Sequence, residues 1–443
     1  MTNHFDFTVP RLGAARVPSP IKMSNVVGDN LVDYVTDDDR VLYEISVKPD
    51  ETKLELRPEM MLECAGPREK IYFDPSHVRA GVVSCGGLCP GINDVIRSIV
   101  RSLWHSYGVR RIVGIRNGYK GFLSEYGFED MELDPEIVDD IHKVGGSVLG
   151  TSRGGGDQTE RIVDAIERLS LSILFTIGGD GTQKGALRIA NEIERRDLKV
   201  AVVGIPKTID NDLLIVDKSF GFETAVTRAS EAVASAHMEA HSSIGGIGLV
   251  KLMGRESGFI AAQTALAVNE ANFVLIPEVP FDIDGPNGLL ARLERRLEAR
   301  NHAVIIVAEG AGQQLLAAQN KTDQSGNKVL SDIGVCLRDC IVDHFEKLKK
   351  EINLKYIDPS YMIRSSIAES TDAQYCSRLG SNAVHAAMAG KTKIVVGLVN
   401  NRFVDIPTEA VVAGRKHVDP DGSLWRDVLN ATEQPEIMTN PKA

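Results

Sequence analysis

The chain has 443 residues, of which 43% are hydrophobic and 25% charged, a balance typical of a globular protein with two or three domains. Its net charge of −11 argues against nucleic acid and anionic membrane surfaces as partners, although a local basic pocket could still bind a small anion. No long apolar run predicts a membrane span, and the N-terminal sequence lacks the apolar core of a secretory signal. We therefore expect a cytoplasmic protein whose six cysteines, which form no CxxC pair, are reduced thiols.

Residues 1–75 show no regular apolar periodicity, and we interpret them as an extension that packs on the main body. Within it, "VLYEISV" at 41–47 is compatible with an edge strand. From residue 78, short apolar runs that end in glycines alternate with stretches at helical spacing, and the same pattern repeats in the second half. This alternation predicts two α/β domains with doubly wound, mostly parallel sheets, whose ligands bind at the carboxyl ends of the strands.

A glycine-rich segment, "GGDGTQKG" at 178–185, follows the apolar run "SILFTI" and precedes a predicted helix. Its glycines would let the backbone approach a phosphate closely, and the helix N-terminus offers free N–H groups and a partial positive charge. Asp180 stands where a carboxylate could hold Mg²⁺ against phosphate oxygens. The segment matches neither the Walker A pattern nor GxGxxG, and a tight turn with a capping aspartate is the alternative.

Two further loops are rich in glycine, "CGGLCPGIN" at 85–93 and "GTSRGGG" at 150–156. In the first, glycines without side chains expose the backbone to a ligand just before a predicted helix. The alternative is that these glycines allow close packing of that helix on the sheet. In the second, Arg153 could fork onto a phosphate, with a solvated loop arginine as the alternative. If the first loop and "GGDGT" both follow strands of one sheet, they indicate a ligand long enough to contact both loops.

The segment "PKTIDND" at 206–212 places an ammonium group and two carboxylates at the end of the apolar run "VAVVGIP". Asp210 and Asp212 are two residues apart, so on an extended segment their side chains lie on the same side. Two close carboxylates raise one pKa of the pair, which suits one as a base and the other as a metal-associated anion. Lys207 could offset their charge, and an Asx-rich turn that caps the next helix is the alternative.

Three segments of the second half carry polar residues at predicted strand or helix ends: "VKLMGRESGFIA" (250–261), "VAEGAG" (307–312) and "SYMIRS" (360–365). Each is compatible with a substrate contact or with an ordinary surface. His237 and His241 lie four residues apart, a spacing that could clasp a metal. No third ligand is evident from the sequence, and we interpret the pair as a helix surface.

The motifs "GGDGT", "PKTIDND" and "KLMGR", in this order, resemble the 6-phosphofructokinase family over residues 78–412. "KLMGRESGFIA" and "YIDPSYMIRS" are more similar to its trypanosome- and plant-like branch than to the short bacterial enzymes. The resemblance implies two facing α/β domains and a homo-oligomer, a tetramer or dimer, in which a neighbouring subunit completes the sugar-phosphate site. The implied layout is an N-terminal extension at 1–75, a donor-binding domain at 76–221 completed by 365–412, a fructose 6-phosphate-binding domain at 222–364, and a C-terminal tail at 413–443.

The resemblance implies phosphoryl transfer from MgATP to the 1-hydroxyl of fructose 6-phosphate, a step of glycolysis, by an allosteric enzyme. Asp210 would be the general base, Asp180 and Asp212 would work with Mg²⁺, and Arg255 would stabilise charge on the transferring group. The catalytic group would consist of Asp210, Arg255, Thr208 and Lys207. The phosphate donor would be surrounded by Gly87, Tyr119, Arg153, Gly179, Gly181 and Thr182. The sugar phosphate would be held by Thr208, Asp210, Asp212, Met253, Gly254, Arg255, Glu309, Lys355, Tyr361 and Arg364.

The donor in this family is ATP or pyrophosphate, and two residues bear on the choice. Pyrophosphate-dependent members carry an aspartate where this chain has Gly181, and a carboxylate there would crowd and repel the α-phosphate of ATP. Lys207 is a feature of the pyrophosphate enzymes, but the trypanosome- and plant-like ATP enzymes combine this lysine with the glycine, as here. The combination favours ATP, with a pyrophosphate-dependent phosphotransferase as the alternative.

The chain also departs from the family pattern. Short bacterial members have two arginines and a histidine at the positions of Gly246, Lys355 and Tyr361. The resemblance therefore says least about the residues that bind the 6-phosphate across the subunit interface. "GGDGT" also occurs in NAD kinases and diacylglycerol kinases, which lack the other two motifs. A non-catalytic regulatory homologue would be expected to have lost a carboxylate, whereas this chain keeps all three aspartates.

Overall fold

The computed structural model describes residues 5–26, 28–46, 57–316 and 330–441. In chain order, the strands of these residues are β1 (Val17–Pro18), β2 (Arg40–Leu42), β3 (Met61–Cys64), β4 (Lys70–Ile71), β5 (Arg79–Ser84), β6 (Arg111–Ile115), β7 (Met131–Glu132), β8 (Ile173–Gly178), β9 (Ala201–Pro206), β10 (Gly246–Leu252), β11 (Phe273–Leu275), β12 (His302–Ala308), β13 (Asn353–Ile357), β14 (Ile394–Val399) and β15 (Arg402–Pro407). The helices are α1 (Ile92–Arg101), α2 (Thr159–Arg168), α3 (Asp180–Arg195), α4 (Phe222–His241), α5 (Phe259–Val268), α6 (Leu289–Arg300), α7 (Ile333–Lys347), α8 (Ser360–Arg364), α9 (Ser370–Met388), α10 (Thr408–Val411) and α11 (Ser423–Thr432). None of the helices in this part of the chain is long and apolar enough to cross a membrane.

The chain divides into two compact units. The first unit consists of Met1–Thr208, Leu213–Gly221 and Ser365–Arg415, and the second of Ile209–Asp212, Phe222–Arg364 and Lys416–Ala443. The boundary falls inside "PKTIDND", so that the lysine and threonine of this motif belong to the first unit and its two aspartates to the second. A short motif therefore supplies side chains to both units.

The first unit is built on a sheet whose described strands follow the order β2-β3-β15-β14-β9-β8-β5-β6-β7. The strands from β14 to β6 are parallel, and the outer ones are antiparallel to their neighbours. The central strands are apolar and buried along their length, as in parallel sheets covered on both faces. Helices α2 and α3 share a core with the sheet, while α1 packs on α9, and α9 contacts β9 and β14. The predicted doubly wound, mostly parallel sheet is confirmed.

The N-terminal extension adds β2 and β3 to an edge of this sheet, where β3 pairs with β15. A separate two-stranded sheet forms from β1 and β4. The edge strand predicted in "VLYEISV" is confirmed only for Val41 and Leu42, within β2. The last residue of that motif, at position 47, lies outside the described residues.

A buried ion cluster ties the extension to the sheet. Lys391 is 1% exposed, and its Nζ lies 2.8 Å from Glu63 Oε2 on β3 and 2.6 Å from Asp405 Oδ2 on β15. Arg11 of the extension also donates to Glu63 Oε2, at 2.8 Å. Each buried charge therefore faces an opposite charge, which is the condition under which ionised groups are tolerated in a protein interior.

Replacing Lys391 with methionine should destabilise the protein strongly. Methionine has a similar length but leaves the carboxylates of Glu63 and Asp405 buried without their shared cation, a change that typically costs about 3–5 kcal/mol of unfolding free energy. The matched control is Lys393→Met, which removes a pair with the exposed Glu194 and should cost less than about 1 kcal/mol. Denaturant titrations that gave equal unfolding free energies for the two variants would contradict this assignment.

The second unit is built on four parallel strands in the order β11-β12-β10-β13. Helices α6 and α7 share one hydrophobic core with this sheet, while α4 and α5 contact each other and also β12. Helix α11 packs on α5 and β11 and buries Trp425 and Val428, and Met438 lies in the core. Residues 416–441, which the sequence suggested were part of a tail, are thus an integral part of this unit.

Candidate active site

The first unit collects the glycine-rich motifs at one edge of its sheet. "CGGLCPGIN", "GGDGT" and "PKT" follow β5, β8 and β9, which are adjacent and parallel. The carboxyl ends of adjacent parallel strands meet at the same edge, where open α/β sheets bind their ligands. Helix α3 begins at Asp180, directly after β8. Its N-terminus therefore adds unpaired N–H groups and a partial positive charge to this edge.

A buried glutamine holds the "GGDGT" turn in place. The Nε2 of Gln183 donates to the carbonyl oxygens of Gly178 at 2.9 Å and Ile205 at 3.2 Å, which ties the ends of β8 and β9 together. The backbone N–H of Lys207 also donates to Gly178, at 3.0 Å. These bonds give the turn a defined conformation before any ligand binds, so that little ordering is required on binding.

The two carboxylate oxygens of Asp180 lie in different environments. Its Oδ2 lies 3.0 Å from Lys184 Nζ and 3.5 Å from Arg415 Nη2. Its Oδ1 is buried and has no hydrogen-bond partner among the described residues. A buried carboxylate oxygen without a donor is unfavourable unless a ligand satisfies it, and a divalent cation is a suitable ligand.

The two remaining glycine-rich loops pack on each other in the same unit. Gly86 N–H donates to Ser152 O at 2.9 Å, and Thr151 Oγ1 donates to Gly86 O at 2.9 Å. A Cβ added to Gly87 would lie 3.8 Å from Arg153 Nη2, so the guanidinium stands beside the bare backbone of that glycine. The structure thus brings together two residues predicted to surround the phosphate donor.

Lys207 joins this group of loops. The side chain is 5% exposed, and its Nζ donates to Gly87 O at 2.8 Å. A Cβ added to Gly86 would lie 3.3 Å from the same nitrogen. The ammonium group therefore lies beneath the first glycine-rich loop and places a positive charge beside it.

Tyr119 lies beneath the first turn of α3. Its ring is 2% exposed and packs against Gly156 and Gly185, and its hydroxyl donates to Thr182 O at 2.8 Å. Burial raises the pKa of Tyr119 well above its usual value, so the hydroxyl stays protonated and keeps donating. Tyr119 would therefore affect a donor site indirectly, by holding α3 in position.

Gly181 and Thr182 occupy the first turn of α3 in different ways. Thr182 is buried, and its N–H donates to Gly179 O at 2.9 Å, which closes the turn. Gly181 is exposed, and a Cβ added to it would meet no described atom within 4 Å. The space above this glycine is therefore open to a ligand or to a larger side chain.

In the second unit, Asp210 lies at the centre of a polar cluster. Its Oδ2 accepts the backbone N–H of Arg255 at 3.3 Å, and its carbonyl oxygen accepts the hydroxyl of Ser257 at 3.0 Å. Both partners come from the loop that follows β10. Its Oδ1 is buried. The segment "MGRES" thus contacts both the carboxyl group and the backbone carbonyl of the residue that the sequence predicts as the base.

The electrostatic environment raises the pKa of Asp210 to about 7. Burial is the largest cause, followed by the negative charges of Asp212 and Glu309. Arg364 and the N–H of Arg255 oppose the rise. A carboxyl group with a pKa near neutrality is suited to general base catalysis, because it can be ionised at pH 7 and still accept a proton.

The backbone around Asp210 and Asp212 forms a turn, because Asn211 between them has a left-handed conformation with a φ of +55°. The predicted extended segment with both aspartates on the same side is therefore wrong as geometry. The negative charge of Asp212 nevertheless contributes, after burial, to the raised pKa of Asp210. Asp212 is itself buried, and its carbonyl oxygen accepts the N–H of Lys416 at 2.9 Å.

The ends of β10 and β12 bring the rest of this cluster together. Glu309 N–H donates to Leu252 O at 2.9 Å, and Gly310 N–H donates to Gly254 O at 3.0 Å. Gly254 has a φ of +124°, and a Cβ on it would lie 2.5 Å from Ser257 O, so the turn before Arg255 requires glycine. Met253, just before it, is fully buried.

Three further predicted residues of the second unit lie in different settings. Arg364 is near enough to Asp210 to oppose the rise of its pKa. Tyr361, on the same short helix, is 83% exposed. Lys355 is exposed on β13, where it pairs with Gly248 rather than with the end of β10. The structure therefore joins Arg364 to the Asp210 cluster.

Sequence reasoning missed four residues that shape these clusters: Gln183, Lys184, Ser257 and Arg415. Lys184 was open to prediction, because it follows Asp180 by four residues on a predicted helix. Arg415 was not, since it lies 235 residues from Asp180 in the chain and beyond the family motifs.

The described residues contain no group of three or more His, Cys, Asp or Glu side chains arranged as a metal centre. This finding does not conflict with Mg²⁺, which is usually held by one or two carboxylates together with substrate phosphates and water. The residue that fits best is Asp180, through its buried Oδ1.

Comparison with known proteins identifies the family. A family model described as phosphofructokinase matches residues 79–387. The chain is 53% identical to a Borreliella burgdorferi protein named ATP-dependent 6-phosphofructokinase, across 99% of this chain and 98% of that protein. It is 47% identical to a Trypanosoma cruzi protein of the same name, across 84% of this chain and 77% of that protein. These likenesses confirm the resemblance predicted from the motifs.

The fold is also that of solved phosphofructokinases. A pyrophosphate-dependent phosphofructokinase from Marinobacter aquaeolei superposes with a TM-score of 0.66 at 20% identity, across 80% of this chain and 91% of that one. At this identity the likeness shows the fold alone, and the predicted fold class is confirmed. Since the family model covers well over half of the sequence and the relatives align along most of it, the chain belongs to the phosphofructokinase family.

Proposed function

We propose that this enzyme transfers the γ-phosphoryl group of ATP to the 1-hydroxyl of fructose 6-phosphate, giving fructose 1,6-bisphosphate, as an ATP-dependent 6-phosphofructokinase. The observation that carries the proposal is the Asp210 cluster, a buried carboxyl group with a pKa of about 7 beside Glu309, Arg364 and the Arg255 loop. The relatives with near-complete alignment are named for this activity.

The first unit supplies the residues that bind the donor. The glycines of the loops around Gly87 and Gly179 let a phosphate approach the backbone closely, and the N-terminus of α3 adds partial positive charge. Arg153 and Lys207, which contact or flank Gly87, add two full positive charges. Phosphoryl transfer depends mainly on positioning and on stabilising negative charge, and this arrangement is suited to both.

The second unit supplies the base and the residues that bind the acceptor. Asp210 takes the proton from the 1-hydroxyl of the sugar as the oxygen attacks the phosphoryl group. Arg255 stabilises the negative charge on that group, and Glu309 accepts hydrogen bonds from sugar hydroxyls. Arg364 pairs with the 6-phosphate. Tyr361 and Lys355 are further predicted contacts of the same phosphate. The sugar lies along Met253 and Gly254, and Thr208, which belongs to the first unit, stays a predicted contact of the transferred group or the substrate.

Mg²⁺ is the cofactor of this proposal. Asp180 is the residue best suited to hold it, because its buried Oδ1 lacks a donor among the described residues. Asp212 stays a second predicted ligand. The bound ion would neutralise negative charge on the donor phosphates and on the group in transfer.

Removal of Mg²⁺ should abolish turnover. With excess EDTA, the rate of fructose 1,6-bisphosphate formation should fall below about 1% of the initial rate, because the phosphate charge is no longer neutralised. Added Mg²⁺ should restore the rate, whereas Na⁺ at equal ionic strength should not. Full activity in excess chelator would refute the metal requirement.

The pH dependence of kcat/KM should report the titration of Asp210. The base works only when ionised, so kcat/KM for fructose 6-phosphate should rise about tenfold per pH unit below pH 7 and level off above it. Asp212→Asn removes a negative charge that contributes to the raised pKa, so it should shift this acid limb to lower pH. An acid limb at the same pH in the variant would contradict the assignment.

ATP is favoured as the donor because Gly181 leaves open space at the first turn of α3. Pyrophosphate is the alternative, and the placement of the Lys207 ammonium beneath the Gly87 loop is the observation that favours it. The decisive assay compares ATP with pyrophosphate as donors for fructose 6-phosphate with the purified enzyme. Faster turnover with pyrophosphate would overturn the donor assignment, and binding of fructose 6-phosphate without turnover would indicate the non-catalytic alternative.

Oligomeric state, allosteric regulation and cytoplasmic location stay predictions. The exposure of Tyr361 and Lys355 is compatible with a role at a subunit interface, where they could bind the 6-phosphate together with residues of a neighbouring subunit. Native mass spectrometry with and without fructose 6-phosphate would measure the oligomeric state directly.

A further inference from the structure

Lys251 bridges two carboxylates at the carboxyl edge of the second unit's sheet. Its Nζ lies 2.9 Å from Asp332 Oδ2 and 2.9 Å from Asp358 Oδ2. The lysine side chain is 12% exposed, so both pairs are largely shielded from solvent on its side. Burial lowers the pKa of Lys251, but the hydrogen bonds to Asp358 and Asp332 more than offset this effect and raise it overall, so the ammonium stays charged.

The three residues of this bridge come from three separate elements. Lys251 is the last residue but one of β10, two positions before Met253. Asp332 is the N-cap of α7 and accepts Val335 N–H at 3.1 Å. Asp358 directly follows β13, which pairs with β10 in parallel up to Ile357. The bridge therefore ties the end of β13 to the strand that leads into the "MGR" loop.

Asp358 also controls the start of α8. Its Oδ1 accepts the N–H of Ser360 at 3.1 Å and the hydroxyl of Ser360 at 2.5 Å. Helix α8 spans five residues and carries Tyr361 and Arg364. A helix this short cannot define its own position by internal hydrogen bonds, so its anchoring depends on contacts such as this one and on packing against α4.

We propose that Lys251 is a positioning residue for fructose 6-phosphate: through Asp358 it holds α8 so that Arg364 is presented to the sugar phosphate beside Asp210. This inference rests on the proposed function, since it assigns Arg364 to the 6-phosphate. In this proposal Lys251 acts through Asp358 and α8 rather than by contact with a substrate. Its second partner, Asp332, ties the same ammonium to α7 and restricts the movement of the lysine side chain.

The test measures the Kd of fructose 6-phosphate by calorimetry and the kinetic constants for both substrates. Lys251→Met should raise the Kd and KM for fructose 6-phosphate about tenfold, with kcat and the KM for ATP within about twofold of wild type. Lys251→Arg, whose guanidinium can fork onto two carboxylates, should recover most of the affinity. Asp358→Asn, which keeps an acceptor for Ser360 but loses the charge, should weaken affinity in the same direction.

Lys350→Met is the matched control. Lys350 also bridges two carboxylates of the second unit, with Nζ 2.6 Å from Glu294 and 2.7 Å from Glu298, and among the described residues neither partner contacts α8. This variant should keep the wild-type Kd. A wild-type Kd in both Lys251→Met and Asp358→Asn would overturn the proposal, as would an equal loss of affinity for ATP. Wild-type protein that binds fructose 6-phosphate without turning it over would refute the proposed function alone.

Discussion

Replacing Asp210 with asparagine should lower kcat by about 10²–10⁴-fold, the range that general base catalysis typically contributes. Asparagine has nearly the same shape and can still accept the N–H of Arg255, but it cannot take a proton from the sugar hydroxyl. The KM for fructose 6-phosphate should therefore change by no more than about threefold, because an interaction needed only in the transition state has been removed. Asp210→Ser should show the same loss of turnover.

The same variant carries an independent signature in its stability. The pKa of Asp210 is raised to about 7 in the folded protein, above its value in an unfolded chain. The stability contributed by this group is therefore complete below about pH 4 and is lost as the pH rises through 7. Asp210→Asn does not titrate, so its Tm relative to wild type should rise by a few degrees between about pH 5 and pH 8.

Asp282→Asn provides a matched control for the loss of a carboxylate in the second unit. Asp282 Oδ2 accepts the N–H of Asn440 at 2.7 Å and belongs to no candidate site. Its replacement should leave kcat within about twofold and should not change the pH dependence of Tm in the same way. Near-normal turnover in Asp210→Asn would refute its role as the base, whatever the effect on stability.

The fold was largely predictable from local patterns. Short apolar runs predict buried parallel strands, and the motifs "GGDGT" and "PKTIDND" each lie at the end of such a run. Strand β8 illustrates this, since "SILFTIGG" leads directly into Asp180 at the start of α3. Periodicity and turn chemistry act over a few residues, so they can be read without knowledge of the tertiary structure.

Contacts between distant segments could not be predicted in this way. The Lys251 bridge joins residues 81 and 107 positions apart, and the Asp180–Arg415 pair spans 235 positions. The left-handed backbone of Asn211 was also missed, because asparagine tolerates this conformation without requiring it. These features depend on which elements the fold brings together, and that information is spread over the whole chain.

Introducing aspartate at Gly181 should selectively damage the use of ATP. Gly181 lies in the first turn of α3, next to the cation-binding candidate Asp180, and a side chain there would extend into space with no described atom within 4 Å of its Cβ. A carboxylate about 5 Å from a phosphate charge costs about 3 kcal/mol at an effective dielectric constant of about 20. Since about 1.4 kcal/mol corresponds to a factor of ten, kcat/KM for ATP should fall about 100-fold.

Two further variants separate charge from bulk at this position. Gly181→Ala adds only a methyl group in open space and should keep kcat/KM for ATP within about threefold, while alanine stabilises the helix by about 1 kcal/mol. Gly181→Asn adds the bulk of aspartate without its charge and should show an intermediate loss. The KM for fructose 6-phosphate should be unchanged in all three variants, because Gly181 belongs to the first unit and the acceptor residues other than Thr208 belong to the second. Unchanged ATP kinetics in Gly181→Asp would remove the main support for ATP as the donor, whereas equal losses in the aspartate and asparagine variants would assign the effect to bulk alone.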